Sequence, residues 1–224
     1  MAFVWKAIAA AALTLCAVVI DGQCAVVQTA TKAQDSFCKK IDILFMIDSS
    51  ESITRGHYEA VKQFAATFAV HFNVSASTVR FGMINFNDKI RVKWSFDRYT
   101  DSASLTAAIR SMQYTVGTTN VEMAFMGALE LMRDARQPNA IIYLSDGRHE
   151  VGGDPVPVAD QIRAEYSTRV LAVYVPGING GFKPGDYNEL EGLAGNPKYV
   201  FIVDKIEDLS NFLFLASYLP CTCA

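Results

Sequence analysis

The hydrophobic pattern of the chain is sharpest at residues 41–48. The run I-D-I-L-F-M-I-D is apolar without a break from Ile43 to Ile47, then stops on Asp48 and the polar stretch Ser49-Ser50-Glu51-Ser52. A short run of this kind, rich in β-branched and aromatic residues, predicts a strand buried on both faces, as in a parallel sheet. Residues 140–144 repeat the pattern and stop on Ser145-Asp146-Gly147. Between the two, Tyr58, Val61, Phe64, Ala65, Phe68 and Phe72 recur at three- and four-residue spacing. That spacing predicts an amphipathic helix with its aromatic stripe in the core and Ser52 as its cap. Residues 79–86 and 89–94 read as strands joined through Asn87-Asp88 into an antiparallel hairpin. Further helices are expected at 102–112, 121–133, 158–166, 187–194 and 206–219, with strands at 170–175 and 199–203. Strands alternating with helices predict an α/β sandwich with a mostly parallel sheet, in one domain over residues 41–219.

The amino terminus follows a different rule. Lys6 is the only charge in residues 1–20, residues 7–20 are apolar apart from Thr14 and Cys16, and Asp21-Gly22-Gln23 ends the run. This layout predicts a secretory signal peptide over residues 1–24, because a membrane span needs about 20 apolar residues. Residues 25–40 then read as a polar linker, residues 220–224 as a tail, and the mature chain as secreted. The cysteines agree with export. Cys16 lies in the leader, Cys24 at the cleavage point, and Cys38, Cys221 and Cys223 flank a domain with no cysteine inside it. In an oxidising compartment Cys38, Cys221 and Cys223 are disulfide candidates. Three mature cysteines leave one over for a partner chain, making a disulfide-linked oligomer, whereas four do not. Asn73-Val74-Ser75 fits the N-glycosylation pattern. A net charge of −3 with no basic run gives no case for a nucleic-acid partner.

The ligand sites of open α/β sheets lie at the carboxyl ends of the strands. If the two apolar strands are neighbours, Asp48 and Asp146 face one crevice, and the turn Val116-Gly117-Thr118-Thr119-Asn120 can fill its remaining side. Asp48, Ser50, Ser52, Thr119 and Asp146 are hard oxygen donors of the kind magnesium takes. A hydrolase or phosphotransferase would need a base, or a cation placed for phosphate. Neither His57, His71 nor His149 can be given such a role, His149 reading as a solvated loop residue. The chain carries no G-x-S-x-G, H-E-x-x-H or P-loop either. The sequence therefore argues against an enzyme.

Taken together, Asp48-Ser49-Ser50-Glu51-Ser52, Gly117-Thr118-Thr119 and Leu144-Ser145-Asp146-Gly147 resemble the three loops of the metal-ion-dependent adhesion site. That site belongs to von Willebrand factor type A domains and integrin inserted domains, and the resemblance runs over nearly all of residues 41–219. It implies a doubly wound, mostly parallel six-stranded sheet with one antiparallel edge strand and helices on both faces. It also implies Mg²⁺ or Mn²⁺ held by Asp48, Ser50, Ser52, Thr119 and Asp146, with an acidic residue of an extracellular protein ligand completing the coordination. Glu51, Arg148, His149 and residues 177–185 would form the rim. The chain departs from the family at Val121 and Glu122, where a hydroxyl and a glycine are usual. A structural matrix protein that assembles through its cysteines, without using the metal, is the competing reading.

Overall fold

The computed structural model describes residues 39–177 and 184–220, together with a short ribbon pairing Val18–Ile20 antiparallel to Gln23–Ala25. Most of the expected leader and linker, Cys16, Cys38, Cys221, Cys223 and most of the loop 177–185 lie outside the described residues. Among the described residues, no helix is long and apolar enough to cross a membrane.

Six strands form one sheet: β1 (Ile41–Asp48), β2 (Val79–Phe86), β3 (Ile90–Trp94), β4 (Asn139–Ser145), β5 (Arg169–Tyr174) and β6 (Val200–Ile202). Their order is β3-β2-β1-β4-β5-β6, and only the β2–β3 pairing is antiparallel. The strand order therefore reverses direction at β1, between β2 and β4. This is the topological switch point at which an open sheet parts its connections and leaves a crevice. The two apolar strands of the sequence are direct neighbours, as the crevice requires.

Among the described residues five α-helices cover the sheet: α1 (Arg55–Val70), α2 (Ser102–Ser111), α3 (Val121–Met132), α4 (Val156–Tyr166) and α5 (Pro184–Ala194). Alternation along β1 divides the core. Ile41, Ile43, Phe45 and Ile47 point to α1 and α2, whereas Leu44 and Met46 point to α3, α4 and α5. Full burial on both faces explains why β1 reads as a continuous apolar run. The aromatic stripe of α1 packs as expected: Phe68 meets Phe45 edge-on at 5.9 Å, and Phe45 stacks on Phe81 at 5.7 Å.

Two expectations need correction. Ser52 does not cap α1: the loop continues to Thr54, whose Oγ1 accepts the His57 N–H at 3.0 Å. The Ser52 hydroxyl instead lies 3.0 Å from that of Ser50. The last helix, Ile206–Tyr218, runs as 3₁₀ turns rather than as an α-helix. It buries Leu209, Leu215 and Ala216 in the core, with Ile206, Leu213 and Tyr218 partly buried against it.

At the opposite end of β1 from Asp48 lies Asp42, whose partners no sequence spacing reveals. It is fully buried and accepts from Arg80 Nε at 2.9 Å, from the Arg136 backbone N–H at 2.6 Å and from Arg136 Nη2 at 2.8 Å. Burial alone would raise its pKa, but these charge-assisted bonds outweigh it and hold the carboxyl below its ordinary range. The clamp fixes β1, β2 and the approach to β4 at the pole away from the crevice.

Candidate metal centre

Three loops meet at the carboxyl end of the sheet, and backbone or side-chain hydrogen bonds tie each to the others. The first (residues 48–53) joins the second (residues 114–120) through Glu51 N–H to Gly117 O at 2.9 Å. The second joins the third (residues 146–153) through Glu150 N–H to Thr119 O, also at 2.9 Å. The end of β4, which leads into the third loop, joins the first through Ser145 Oγ, which donates to Asp48 Oδ2 at 2.8 Å. The Ser50 N–H donates to Asp48 Oδ1 at 2.8 Å, so the first loop folds back on its own aspartate.

All five candidate ligands are buried: Asp48, Ser50, Ser52, Thr119 and Asp146. Burial, with a contribution from the nearby Asp146 carboxylate, pushes Asp48 up to about 7 despite the hydrogen bonds from Ser50 and Ser145. Burial raises Asp146 as well, against the pull of the Ser52 hydroxyl and the Arg148 guanidinium. Two polar atoms there have no hydrogen-bond partner in the protein, Thr119 Oγ1 and Asp146 Oδ1. A buried polar atom left unpaired costs about 1–3 kcal/mol. An unpaired threonine hydroxyl and an unpaired carboxyl oxygen, with Asp48 and Asp146 both resisting ionisation, are donors of the kind a divalent cation satisfies, so the residues present fit such an ion. Among the described residues no three His, Cys, Asp or Glu side chains form a metal cluster.

Of the two adjacent threonines, Thr119 is the one with a buried, unpaired hydroxyl. Thr118 is partly exposed. Asn120, next in the chain, caps α3 by accepting the Met123 N–H at 2.9 Å, which fixes the residue before it. Gly177 closes over the site. A Cβ there would stand 2.5 Å from Asp146 Oδ2 and 2.9 Å from Ser52 O, so only glycine allows this approach.

The rim differs from the expectation. His149 is not simply solvated: its Nδ1 pairs with the Glu189 carboxylate on α5. Arg148 Nε lies 3.9 Å from Asp186 Oδ1, on the same helix. Arg148 and His149 of the third loop are thus both turned toward α5, and the acids they face, Asp186 and Glu189, carried no sequence signal. Glu51 and Glu150 are exposed, as are the apolar side chains Val116 (61%) and Val151 (41%), one on each flank of Thr119. His57 on α1 donates through Nδ1 to Pro176 O at 2.6 Å, anchoring the segment that leads into Gly177. Asn73 is exposed, so its side chain is open to modification.

The sequence profile of the von Willebrand factor type A domain matches residues 42–213. The human von Willebrand factor A domain-containing protein 2 is 29% identical over 192 residues, covering 82% of this chain and 24% of that protein. The transmembrane cell adhesion receptor mua-3 of Caenorhabditis elegans is 31% identical over 207 residues, covering 86% of this chain and 5% of the receptor. The chain thus spans a quarter or less of the length of these relatives. Among solved structures, proximal thread matrix protein 1 from the mussel byssus, with a zinc-occupied MIDAS motif, superposes with a TM-score of 0.71. It is 22% identical, over 82% of this chain and 49% of that one, a likeness of fold.

Proposed function

Because this chain belongs to the von Willebrand factor type A domain family, we propose that it is a secreted adhesion or matrix module that engages a protein ligand through a divalent cation. Asp48, Ser50, Ser52, Thr119 and Asp146 would hold the ion. The observation that carries the proposal is the pair of orphaned buried oxygens, Thr119 Oγ1 and Asp146 Oδ1, on loops hydrogen-bonded to one another at the strand ends. Three neutral hydroxyls and two carboxylates are hard ligands suited to Mg²⁺ or Mn²⁺. Bound there, the ion supplies an electrophilic centre for one anionic oxygen of a partner.

The protein's own residues do the rest. Ser145 and the Ser50 N–H orient the Asp48 carboxylate. Gly177 brings backbone against Asp146 and limits the space above it. Val116 and Val151 give the face apolar contact area, and the exposed Glu51 and Glu150 disfavour an acidic surface beyond the one coordinating carboxylate. No base or nucleophile is required, and the reading is non-catalytic. Relatives named as an adhesion receptor and as collagen chains support an extracellular setting. Secretion by cleavage of residues 1–24, bridging through Cys38, Cys221 and Cys223, and glycosylation at Asn73 belong to the same proposal.

The test is retention of the purified chain on immobilised extracellular-matrix proteins, in Mg²⁺ and in EDTA, with Asp146→Ala alongside. Binding that needs Mg²⁺ and is lost in the variant supports the proposal. Binding indifferent to both makes the chain a structural component that assembles by its cysteines or surface.

A further inference from the structure

Asn87 reads in the sequence as an ordinary turn residue between β2 and β3, and half of its side chain acts as one. Its Oδ1 accepts the Lys89 N–H at 3.1 Å, closing the turn, and also accepts from Arg91 Nε at 2.7 Å. The other half leaves the hairpin. Asn87 Nδ2 faces Thr115 O at 3.3 Å, Val116 O at 3.2 Å and Thr115 Oγ1 at 3.3 Å, all on the second loop. The Asn87 carbonyl accepts the Asn120 N–H at 2.9 Å. One fully buried residue therefore grips the second loop at residues 115–116 and again at 120, on either side of Thr119.

The same contact reaches the first loop. Thr115 Oγ1 lies 3.0 Å from Ser49 Oγ, and Ser49 Oγ also donates to Phe86 O at 2.9 Å. Ser49 stands between Asp48 and Ser50. Gly117 lies so close to the turn that a Cβ would meet Asp88 Oδ1 at 2.6 Å and Asn87 Nδ2 at 3.0 Å. A residue needed only for the turn would use its Oδ1. The amide donors have no task in the hairpin.

We infer that Asn87 is a positioning residue for the metal centre, setting the second loop so that the Thr119 hydroxyl and the Ser49–Ser50 segment converge. This rests on the cation reading proposed above. Outer-shell partners of metal ligands typically carry 10- to 100-fold of metal affinity, and a change of that size is expected on losing the Asn87 amide.

The experiment is Mn²⁺ titration calorimetry on the full chain for wild type, Asn87→Ala, Thr119→Val and the double variant, with thermal melts in chelator. Asn87→Ala should weaken Mn²⁺ binding about 10- to 100-fold, and the double variant should bind no more weakly than the worse single one, because both act on the same hydroxyl. Thr115→Val is the second variant. It spares the turn, removes the hydroxyl shared with Ser49, and should weaken Mn²⁺ binding with little change in the chelator melt. It decides the matter if Asn87→Ala does not fold. An Asn87→Ala chain that melts lower yet binds Mn²⁺ like wild type overturns the inference, as do multiplicative effects in the double variant. A wild-type chain that takes up no Mn²⁺ overturns the cation reading itself.

Discussion

Asp48→Asn should stabilise the metal-free protein at pH 8 while removing its ability to gain stability from a divalent ion. Asp48 is 2% exposed, and burial pushes it up from an ordinary 3.8 to about 7. Between those values the folded chain holds a proton that the unfolded chain has released. Stability therefore falls as pH rises through that window, and the whole penalty is present above pH 7. A shift of this size corresponds to about 4 kcal/mol at most, at about 1.4 kcal/mol per pH unit. Asparagine carries no charge to bury. It keeps an acceptor for the Ser50 N–H, and its amide can donate to Ser145 Oγ, which now accepts. Relaxation around the wild-type carboxylate reduces the difference, so a net gain of about 1–3 kcal/mol is expected, or a melting temperature roughly 3–10 °C higher. Calorimetric melts in EDTA at pH 5, 6, 7 and 8 measure this. The gap between variant and wild type should open from pH 5 to pH 8. With Mn²⁺ added, only the wild type should rise, by an amount that grows with free ion. A variant that melts below wild type at pH 8 in EDTA would refute the argument that burial of two carboxyls strains the empty site.

Other consequences follow from named contacts. Thr119→Val keeps the shape of a buried side chain whose hydroxyl has no protein partner. Its melt in chelator should therefore match or slightly exceed wild type, while Mn²⁺ affinity in calorimetry falls at least about tenfold. Asp42→Asn should cost about 1–3 kcal/mol in denaturant titration, because it removes the charge that Arg80 and Arg136, both partly exposed, share at the buried carboxylate. With its pKa depressed, Asp42 contributes stability that is present above the unfolded carboxylate pKa and lost as pH falls through the lower folded value. In EDTA, wild type should thus lose this contribution in strong acid, and the Asn variant should show a correspondingly shallower acid limb.

The parts of the fold that could be read in the sequence are those where one residue pattern has one cheap solution. The runs at 43–47 and 140–144 are apolar on both faces because β1 and β4 are covered on both faces, and the acids ending them mark the crevice. The helix cap was less legible, since Ser52 and Thr54 are both good caps. Only the path of the loop gives the cap to Thr54 and leaves Ser52 beside Ser50. Asp42 was visible as an acid inside a buried strand. Its partners Arg80 and Arg136 come from distant positions and have no spacing to reveal them. Asn87 was hidden for another reason, because its turn role accounts for its presence and masks the donors aimed at the second loop. His149 looked solvated because Glu189 lies 40 residues away in the chain, where only the packing of α5 brings the two together.

The most direct test of the central claim is calorimetric titration of Mg²⁺ and Mn²⁺ into the chelator-stripped chain at pH 8, with Asp48→Ala and Asp146→Ala as controls. One ion bound per chain by wild type and none by either variant is the predicted result. No uptake by wild type, or equal uptake by the variants, would contradict a cation held by Asp48, Ser50, Ser52, Thr119 and Asp146.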